Sequence, residues 1–168
     1  MDSRYQVEIL GSQAKRDFSC GVDVLDRYLM RQASQDQRKG VAVVYLLMDK
    51  DAESVAGYYT LSTASVRSDR LPENMRSRLP RYEELPAALI GRLAVDLRYQ
   101  GQRLGGFLLL DALQRCLATC ERMGLVAVTV DAKDDRARAF YEAFEFRPFA
   151  GEKYHLYLPV AKIRSLAT

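Results

Sequence analysis

The stretch from Leu93 to Gly106 carries the residues best suited to bind a phosphate group. An apolar strand candidate runs into a turn at Gly101, and a long helix candidate follows, with Gly105 and Gly106 near its start. Such a turn presents free backbone N–H groups, and the helix N-terminus adds partial positive charge. Glycines let the backbone approach a ligand without a Cβ clash. The sequence therefore predicts a pyrophosphate site at this turn.

Two common phosphate-binding patterns are absent from this turn. No Lys-Ser or Lys-Thr follows the glycines, which excludes the P-loop, and G-x-G-x-x-G does not occur. The pattern present is Gln100-x-x-Arg103-x-Gly105. The alternative is that these glycines only allow tight packing of a helix on a strand.

A second candidate site is an arginine-rich segment spanning residues 65–81. Its net charge is 5 − 2 = +3, because five arginines face Asp69 and Glu73. The five are Arg67, Arg70, Arg76, Arg78 and Arg81. Clustered arginines suit a polyanionic partner, since phosphate contacts supply much of the free energy of nucleic-acid binding. The alternative is a solvated loop whose charges confer solubility. Arg92, Arg98 and Arg103 lie beside the phosphate-binding turn.

Length and composition narrow the class of protein. The chain has 168 residues, with 25 Lys+Arg against 22 Asp+Glu, a hydrophobic fraction of 48% and a charged fraction of 28%. These values predict one globular domain over 1–168. No apolar run approaches the ~20 residues that span a bilayer, and no signal peptide is evident, so we expect a cytoplasmic protein without a membrane contact. With His155 as the single histidine and no C-x-x-C among three cysteines, no metal site is predicted.

The pattern of elements predicts an α/β (α+β mixed) domain. Strands are expected at Tyr5–Leu10, Val41–Met48, Ser54–Ser65, Ala87–Val95 and Leu125–Val130, with a final hairpin of Phe146–Phe149 and Lys153–Pro159. Helices are expected at Val22–Lys39, Gly101–Met123 and Asp134–Phe144. Hairpins at the front and a strand–helix–strand crossover at the back imply a mixed, mostly antiparallel sheet of six to seven strands with helices on both faces.

The turn resembles the acyl-CoA turn of GNAT acetyltransferases, written Q/R-x-x-G-x-G/A. Arg103 stands where the family has its first glycine, and Ala139 to Phe146 resembles the family's late F-Y-x-x-x-G-F element, with Glu145 in place of the usual glycine. The resemblance implies a three-layer GNAT fold and acetyl-CoA as the acetyl donor. The residues that it implies for cofactor binding are Leu93, Ala94, Val95, Gln100, Gly101, Gln102, Arg103, Leu104, Gly105 and Gly106.

The same resemblance assigns the catalytic role to Tyr141. In the family a tyrosine at this position lies near the CoA sulfur, and a phenol, neutral at pH 7, can protonate a departing thiolate. A backbone N–H at the end of the Leu93–Val95 strand would hold the acetyl carbonyl oxygen. No general base is identified; Asp131, Glu142 and a relayed water all remain open.

Several further segments resemble the GNAT toxins of bacterial type II toxin–antitoxin systems. They include Phe18 to Leu29, Gly57 to Ser62, Leu89 to Asp96 and Tyr157 to Val160. The resemblance implies acetylation of the α-amino group of aminoacyl-tRNA, which blocks translation, a homodimer, and neutralisation by a ribbon-helix-helix antitoxin. The tRNA contacts would then come from Arg67, Arg70, Arg76, Arg78, Arg81 and Arg92.

Two other functions remain compatible with the sequence. One is a GNAT acetyltransferase for a small-molecule or protein amine, which a narrow or acidic acceptor site would favour. The other is a GNAT-fold binding module without turnover, its cofactor turn closed by Arg103.

Overall fold

The computed structural model describes residues 3–167, in which seven strands form one mixed sheet. The strands are β1 (Tyr5–Ile9), β2 (Val43–Asp49), β3 (Ser54–Arg67), β4 (Glu84–Val95), β5 (Ala127–Asp131), β6 (Arg147–Pro148) and β7 (His155–Pro159). Their order is β1-β2-β3-β4-β5-β7-β6. The β1–β2, β2–β3, β5–β7 and β6–β7 pairs are antiparallel, and β4–β5 is parallel. The predicted mostly antiparallel mixed sheet is confirmed.

Six α-helices are described, together with short 3₁₀ and π segments. They are α1 (Asp23–Arg27), α2 (Ala33–Arg38), α3 (Glu73–Arg76), α4 (Leu104–Thr119), α5 (Asp135–Ala143) and α6 (Val160–Ala167). The 3₁₀ turns are Ser68–Arg70 and Leu97–Tyr99. None of the helices within residues 3–167 is long and apolar enough to cross a bilayer.

The helix predicted over Gly101–Met123 is shorter at both ends than expected. It begins at Leu104, because Gly101 and Arg103 have positive φ angles of 83° and 62°, which an α-helix cannot contain. It ends at Thr119, four residues before Met123. The C-terminal helix α6 was not predicted, although Val160 and Ile163, three residues apart, are both buried.

The helix predicted over Val22–Lys39 is interrupted by a π-helical turn at Tyr28–Gln32, which separates α1 from α2. The backbone N–H of Ala33 donates to the carbonyl oxygen of Tyr28, five residues earlier. This turn inserts one residue into the helical path and buries Tyr28 and Leu29 side by side. Such single π turns occur often at functional sites.

The chain divides into two compact units whose boundaries fall within β3, β4 and α4. Unit 1 contains residues 1–62 and 91–112, and unit 2 contains residues 63–90 and 113–168. A buried cluster in unit 1 includes Phe18, Leu29, Leu46, Tyr58 and Ala94, so it joins the N-terminal helices to the end of β4. A cluster in unit 2 joins β5 and β7 to the arginine-rich segment; its members include Val66, Leu71, Leu85, Ala127, Phe149 and Tyr157.

Candidate functional site

The phosphate-binding turn predicted from sequence lies in unit 1, between β4 and α4. Outside helix α4, the backbone N–H groups of residues 101–106 donate to no other part of the described chain. Gly101 and Arg103 both adopt left-handed conformations there. The turn therefore presents a short run of unpaired N–H donors at a helix N-terminus, an arrangement that suits an anionic group.

Asp96 fixes the direction in which the chain leaves β4. Its buried carboxylate accepts hydrogen bonds from the backbone N–H groups of Ser19 and Arg98 and from Nε of Arg98. Burial alone would raise the pKa of Asp96, but these donors outweigh it and lower the pKa below its usual value. The charged carboxylate thus holds the 3₁₀ turn that precedes residues 101–106.

A second carboxylate, Asp49, anchors Tyr99 within the same 3₁₀ turn. Its fully buried side chain accepts hydrogen bonds from Nε and Nη2 of Arg4, at 2.9 and 2.7 Å, and from the Tyr99 hydroxyl at 2.5 Å. The Arg4 guanidinium is the largest influence on this carboxyl and holds its pKa far below the usual range. A short path of polar contacts therefore connects β2 to the turn.

The side chains of the two glutamines in the turn are engaged with protein atoms. Gln100 Nε2 donates to the carbonyl oxygen of Val95 at 3.0 Å, and Gln102 Oε1 accepts from the Tyr5 hydroxyl at 2.9 Å. These contacts hold both side chains against other parts of unit 1. The sequence predicted both residues as cofactor-binding but did not predict these contacts.

Gly57 on β3 allows the end of β4 and helix α4 to approach closely. A Cβ at this position would lie 2.8 Å from the carbonyl oxygen of Ala94 and 2.9 Å from Cδ1 of Leu108. Backbone atoms cannot yield cheaply at such distances, so only glycine fits. The close approach sets the position of Ala94, one of the predicted cofactor-binding residues.

Replacing Arg103 with glycine is expected to raise the free energy of unfolding by about 1 kcal/mol, because a residue with a Cβ is strained at this φ. Urea denaturation measures the change. The matched control is Arg103→Ala, which removes the guanidinium but keeps the Cβ and its strain. Equal stability of the glycine and alanine variants would contradict the prediction.

Tyr141 lies on α5 in unit 2, and its ring is buried against Phe140 and Phe146. Burial, aided by the negative charge of Asp131, raises the pKa of Tyr141 to about 12. Its hydroxyl has no hydrogen-bond partner within residues 3–167, and because no fully buried side-chain N or O atom among these residues lacks a partner, this oxygen reaches solvent. The raised pKa keeps the phenol protonated, and its O–H group donates to no other residue of the described range.

Asp131 and His155 form a pair that sequence analysis did not identify. They are opposite residues on β5 and β7, and His155 Nδ1 lies 2.5 Å from Asp131 Oδ1. The imidazole stacks on Phe149 with ring centroids 4.6 Å apart. The two residues are 24 positions apart in the sequence, and the β5–β7 register places them opposite each other.

The five arginines of the segment differ in their partners. Arg67 pairs with Asp69 at 3.0 Å, Arg70 with Glu152 at 2.7 Å, and Arg76 with Glu73. Arg78 and Arg81 are exposed and have no ion-pair partner within the described range. The positive charge available to a partner is therefore concentrated at residues 78 and 81.

Arg92, the sixth arginine singled out from the sequence, lies in unit 1 on β4. Its guanidinium lies 3.6 Å from the centroid of the Tyr28 ring, and its backbone N–H donates to Oγ1 of Thr60. Burial and a hydrogen bond to Asp36 raise the pKa of Tyr28 to about 12. The π-helical turn supplies this aromatic platform.

Comparisons with known proteins agree on one family. Residues 13–146 match the Acetyltransferase (GNAT) family. A tRNA-acetylating toxin of Mycobacterium tuberculosis is 36% identical over 149 residues, covering 89% of this chain and 87% of that protein.

Two solved structures are similar over almost the entire chain. One is AtaT complexed with acetyl-methionyl-tRNAfMet, with a TM-score of 0.89, 29% identity, and coverage of 98% of this chain and 99% of that one. The other is a tyrosine-to-phenylalanine mutant of AtaT bound to the C-terminus of the antitoxin AtaR and acetyl-CoA. Its TM-score is 0.84 at 25% identity, with 99% of each chain covered.

Proposed function

The chain belongs to the GNAT acetyltransferase family, and on that premise we propose that it is a toxin that transfers acetyl from acetyl-CoA to the α-amino group of aminoacyl-tRNA. The observation that carries the proposal is the similarity, over 89% of the chain, to a tRNA-acetylating toxin. Acetylation of that amine blocks translation, because an N-acetylated aminoacyl group no longer has a nucleophilic nitrogen.

The phosphate-binding turn is assigned to the pyrophosphate of acetyl-CoA. Backbone N–H groups of residues 101–106 supply the donors, and the start of α4 adds its partial positive charge. Arg103 adds a guanidinium, which pairs well with phosphate oxygens. The left-handed backbone at Arg103 is consistent with the family's preference for glycine at this position. Leu93, Ala94 and Val95 are assigned to the acyl arm of the cofactor.

The end of β4 has the donors needed to hold the thioester carbonyl. The β4–β5 ladder ends at the Ile90–Val130 pair, whereas β4 continues to Val95. A backbone N–H at the end of β4 is therefore assigned as the donor to the carbonyl oxygen as it gains negative charge.

Tyr141 is assigned as the general acid. The amine lone pair attacks the thioester carbon, the N–C bond forms, and the C–S bond breaks with its electron pair moving to sulfur. The new amide nitrogen loses one proton, the sulfur takes the phenolic proton, and solvent returns a proton to Tyr141.

The arginine-rich segment is assigned to the tRNA backbone. Arg67, Arg70 and Arg76 have exposed carboxylate partners that phosphates can replace, and surface ion pairs contribute little free energy. Arg78 and Arg81 need no such exchange, so they are the stronger phosphate ligands. Arg92 is assigned to the acceptor end of the tRNA in unit 1.

The expected partners follow from the same relatives. A ribbon-helix-helix antitoxin would neutralise the toxin, as the complex of AtaT with the C-terminus of AtaR supports. Residues 1–168 would act as a single acetyltransferase domain, within a homodimer, in the cytoplasm where charged tRNA is found.

Transfer of labelled acetyl from acetyl-CoA to bulk charged tRNA tests the proposal, with uncharged tRNA as the control. Label is expected on charged tRNA alone and should disappear on mild alkaline deacylation. Label on neither tRNA would contradict the tRNA assignment. In that case a rise in the thermal unfolding midpoint on addition of acetyl-CoA would indicate an acetyltransferase with another acceptor. An unchanged midpoint would indicate a binding module without turnover.

Replacing Arg78 and Arg81 together with alanine is expected to weaken the apparent binding of charged tRNA about tenfold at moderate salt. The logarithmic salt slope should fall by about 2, one unit for each arginine that no longer neutralises a phosphate. Kinetics over a range of salt concentrations measure both quantities. Arg67→Ala is the matched control, because Asp69 already neutralises that guanidinium, and its effect should be smaller. An unchanged slope in the double variant would place the RNA elsewhere.

A further inference from the structure

The Asp131–His155 pair in unit 2 has the geometry of a proton acceptor. A carboxylate only accepts hydrogen bonds, so the hydrogen bond between Asp131 and Nδ1 of His155 requires that Nδ1 carry the proton. In the neutral imidazole the lone pair is then on Nε2. That nitrogen has no partner within residues 3–167, and the side chain is partly exposed. Nε2 is therefore available as a base.

Packing fixes the plane of the imidazole. The ring stacks on Phe149, with an angle of 21° between the ring planes, and Phe149 also packs against Tyr157. His155 and Tyr157 are two residues apart on β7, so their side chains share one face of the sheet. Asp131 holds the ring from β5. A base whose orientation and tautomer are both set is suited to repeated proton transfer.

The carboxylate of the pair acts electrostatically on Tyr141, the proposed general acid. Asp131 ends β5, and α5, which carries Tyr141, begins four residues later. The charge of Asp131 acts on the phenol of Tyr141, where it raises the pKa and so disfavours the phenolate. Asp131 thus orients the imidazole of His155 and helps to keep the phenol of Tyr141 protonated.

We propose that His155 accepts the proton that the attacking amine loses, with Asp131 as its positioning residue. The inference rests on the proposed function and identifies the base for that reaction. The ammonium of the aminoacyl group, or the amine once its nitrogen has bonded to the thioester carbon, gives a proton to Nε2 of His155. Tyr141 gives its own proton to the departing sulfur. Solvent then removes the proton from His155 and restores that of Tyr141, so the net products are the acetylated amine and CoA thiol.

The charged groups around His155 leave its Nε2 available. Asp131 is bound to Nδ1. On the hairpin before β7, Lys153 pairs with Asp135, and Glu152 pairs with Arg70. Tyr154 donates its hydroxyl to Asp135. Each of these neighbours already has a partner, so none competes for the open nitrogen.

Substitution with chemical rescue tests the role of His155. His155→Ala is expected to lower the rate of acetyl transfer to charged tRNA about 10²-fold at pH 6.5. Free imidazole in the assay should then raise the rate of this variant about tenfold or more. Imidazole should not accelerate the wild type. Lys153→Ala, which changes a neighbouring charge, is the matched control and should retain the wild-type rate. A His155→Ala enzyme with the wild-type rate, or a loss that imidazole does not relieve, would overturn the proposal.

A measurement on the resting protein tests Asp131 without any turnover. His155 is the only histidine in the sequence, so its ring nitrogens give one unambiguous pair of ¹⁵N NMR signals. At a pH where the ring is neutral, the signals should show the Nδ1–H tautomer in the wild type and a mixture in Asp131→Asn. Transfer should fall in the same variant. A wild-type ring in the Nε2–H tautomer would refute the assignment.

These outcomes separate this inference from the proposed function. If the wild type acetylates charged tRNA and the rate does not depend on His155, the proposed role of His155 is wrong and the proposed reaction stands. Absence of wild-type transfer to charged tRNA overturns the reaction, and the role of His155 falls with it.

Discussion

Replacing Tyr141 with phenylalanine is expected to lower acetyl transfer to charged tRNA about 10²-fold while leaving acetyl-CoA binding nearly unchanged. The hydroxyl has no partner within the described residues, so removing it breaks no protein hydrogen bond. The ring contacts with Phe140 and Phe146 remain in the variant. Single-turnover kinetics measure the transfer step, and calorimetric titration measures cofactor affinity.

Stability distinguishes a chemical role from a structural one. Tyr141→Phe should unfold at the same urea concentration as the wild type. Tyr154→Phe is the matched control, because its hydroxyl donates to Asp135 at 2.8 Å on the surface of the same unit. That control should keep full activity. Normal turnover by Tyr141→Phe would remove the phenol from the mechanism.

Replacing Asp49 with alanine is expected to lower the free energy of unfolding by about 3 kcal/mol, since it leaves buried donors without their acceptor. The carboxylate accepts from Arg4, from Tyr99 and from the backbone N–H groups of Asp51 and Ala52. Tyr99 immediately precedes the phosphate-binding turn, so acetyl-CoA affinity should fall together with stability. Urea denaturation and calorimetric titration measure the two effects.

Asp51 offers a matched control for this variant. It also approaches Arg4, at 3.9 Å, but its side chain is 78% exposed. Asp51→Ala should change the free energy of unfolding by less than about 0.5 kcal/mol. Equal destabilisation by the two variants would mean that the loss in free energy of unfolding comes from the interaction with Arg4 and not from burial of the Asp49 carboxylate.

The pH dependence of stability follows from the same carboxylate. The pKa of Asp49 is lowered in the folded protein, so its contribution is fully present above the ordinary aspartate pKa of about 3.9. It disappears as the pH falls below that value towards the folded pKa. The wild type should therefore lose stability steeply below about pH 4, and Asp49→Ala less steeply. Asp96, whose pKa is also lowered, contributes in the same direction.

Sequence patterns predicted the strands well, because alternation and β-branched runs depend on near neighbours. The helix boundaries were less accurate for a local reason. Nothing in the residue type of Arg103 reveals a left-handed backbone, and the same holds for Glu145, with a φ of 71°. Both stand where the family has glycine, which is the signal that would have located them.

The candidate site was predicted in part. The turn, Tyr141 and the arginine-rich segment could be located from motifs, and their roles remain proposals. The ion pair between Arg70 and Glu152 joins residues 82 positions apart, and the Asp131–His155 pair depends on the register of two strands. Such pairs follow from tertiary structure, so composition and spacing do not reveal them.

The π-helical turn at Tyr28–Gln32 has a consequence for how related chains are aligned. In a regular α-helix one residue shorter, the residues before and after the turn would differ in rotation by about 100°, so Tyr28 would no longer face Arg92. A homologue without the extra residue must therefore be aligned with a gap inside this helix. An ungapped alignment with such a homologue would pair residues that differ by about 100° around the helix axis and would misassign the position of Tyr28.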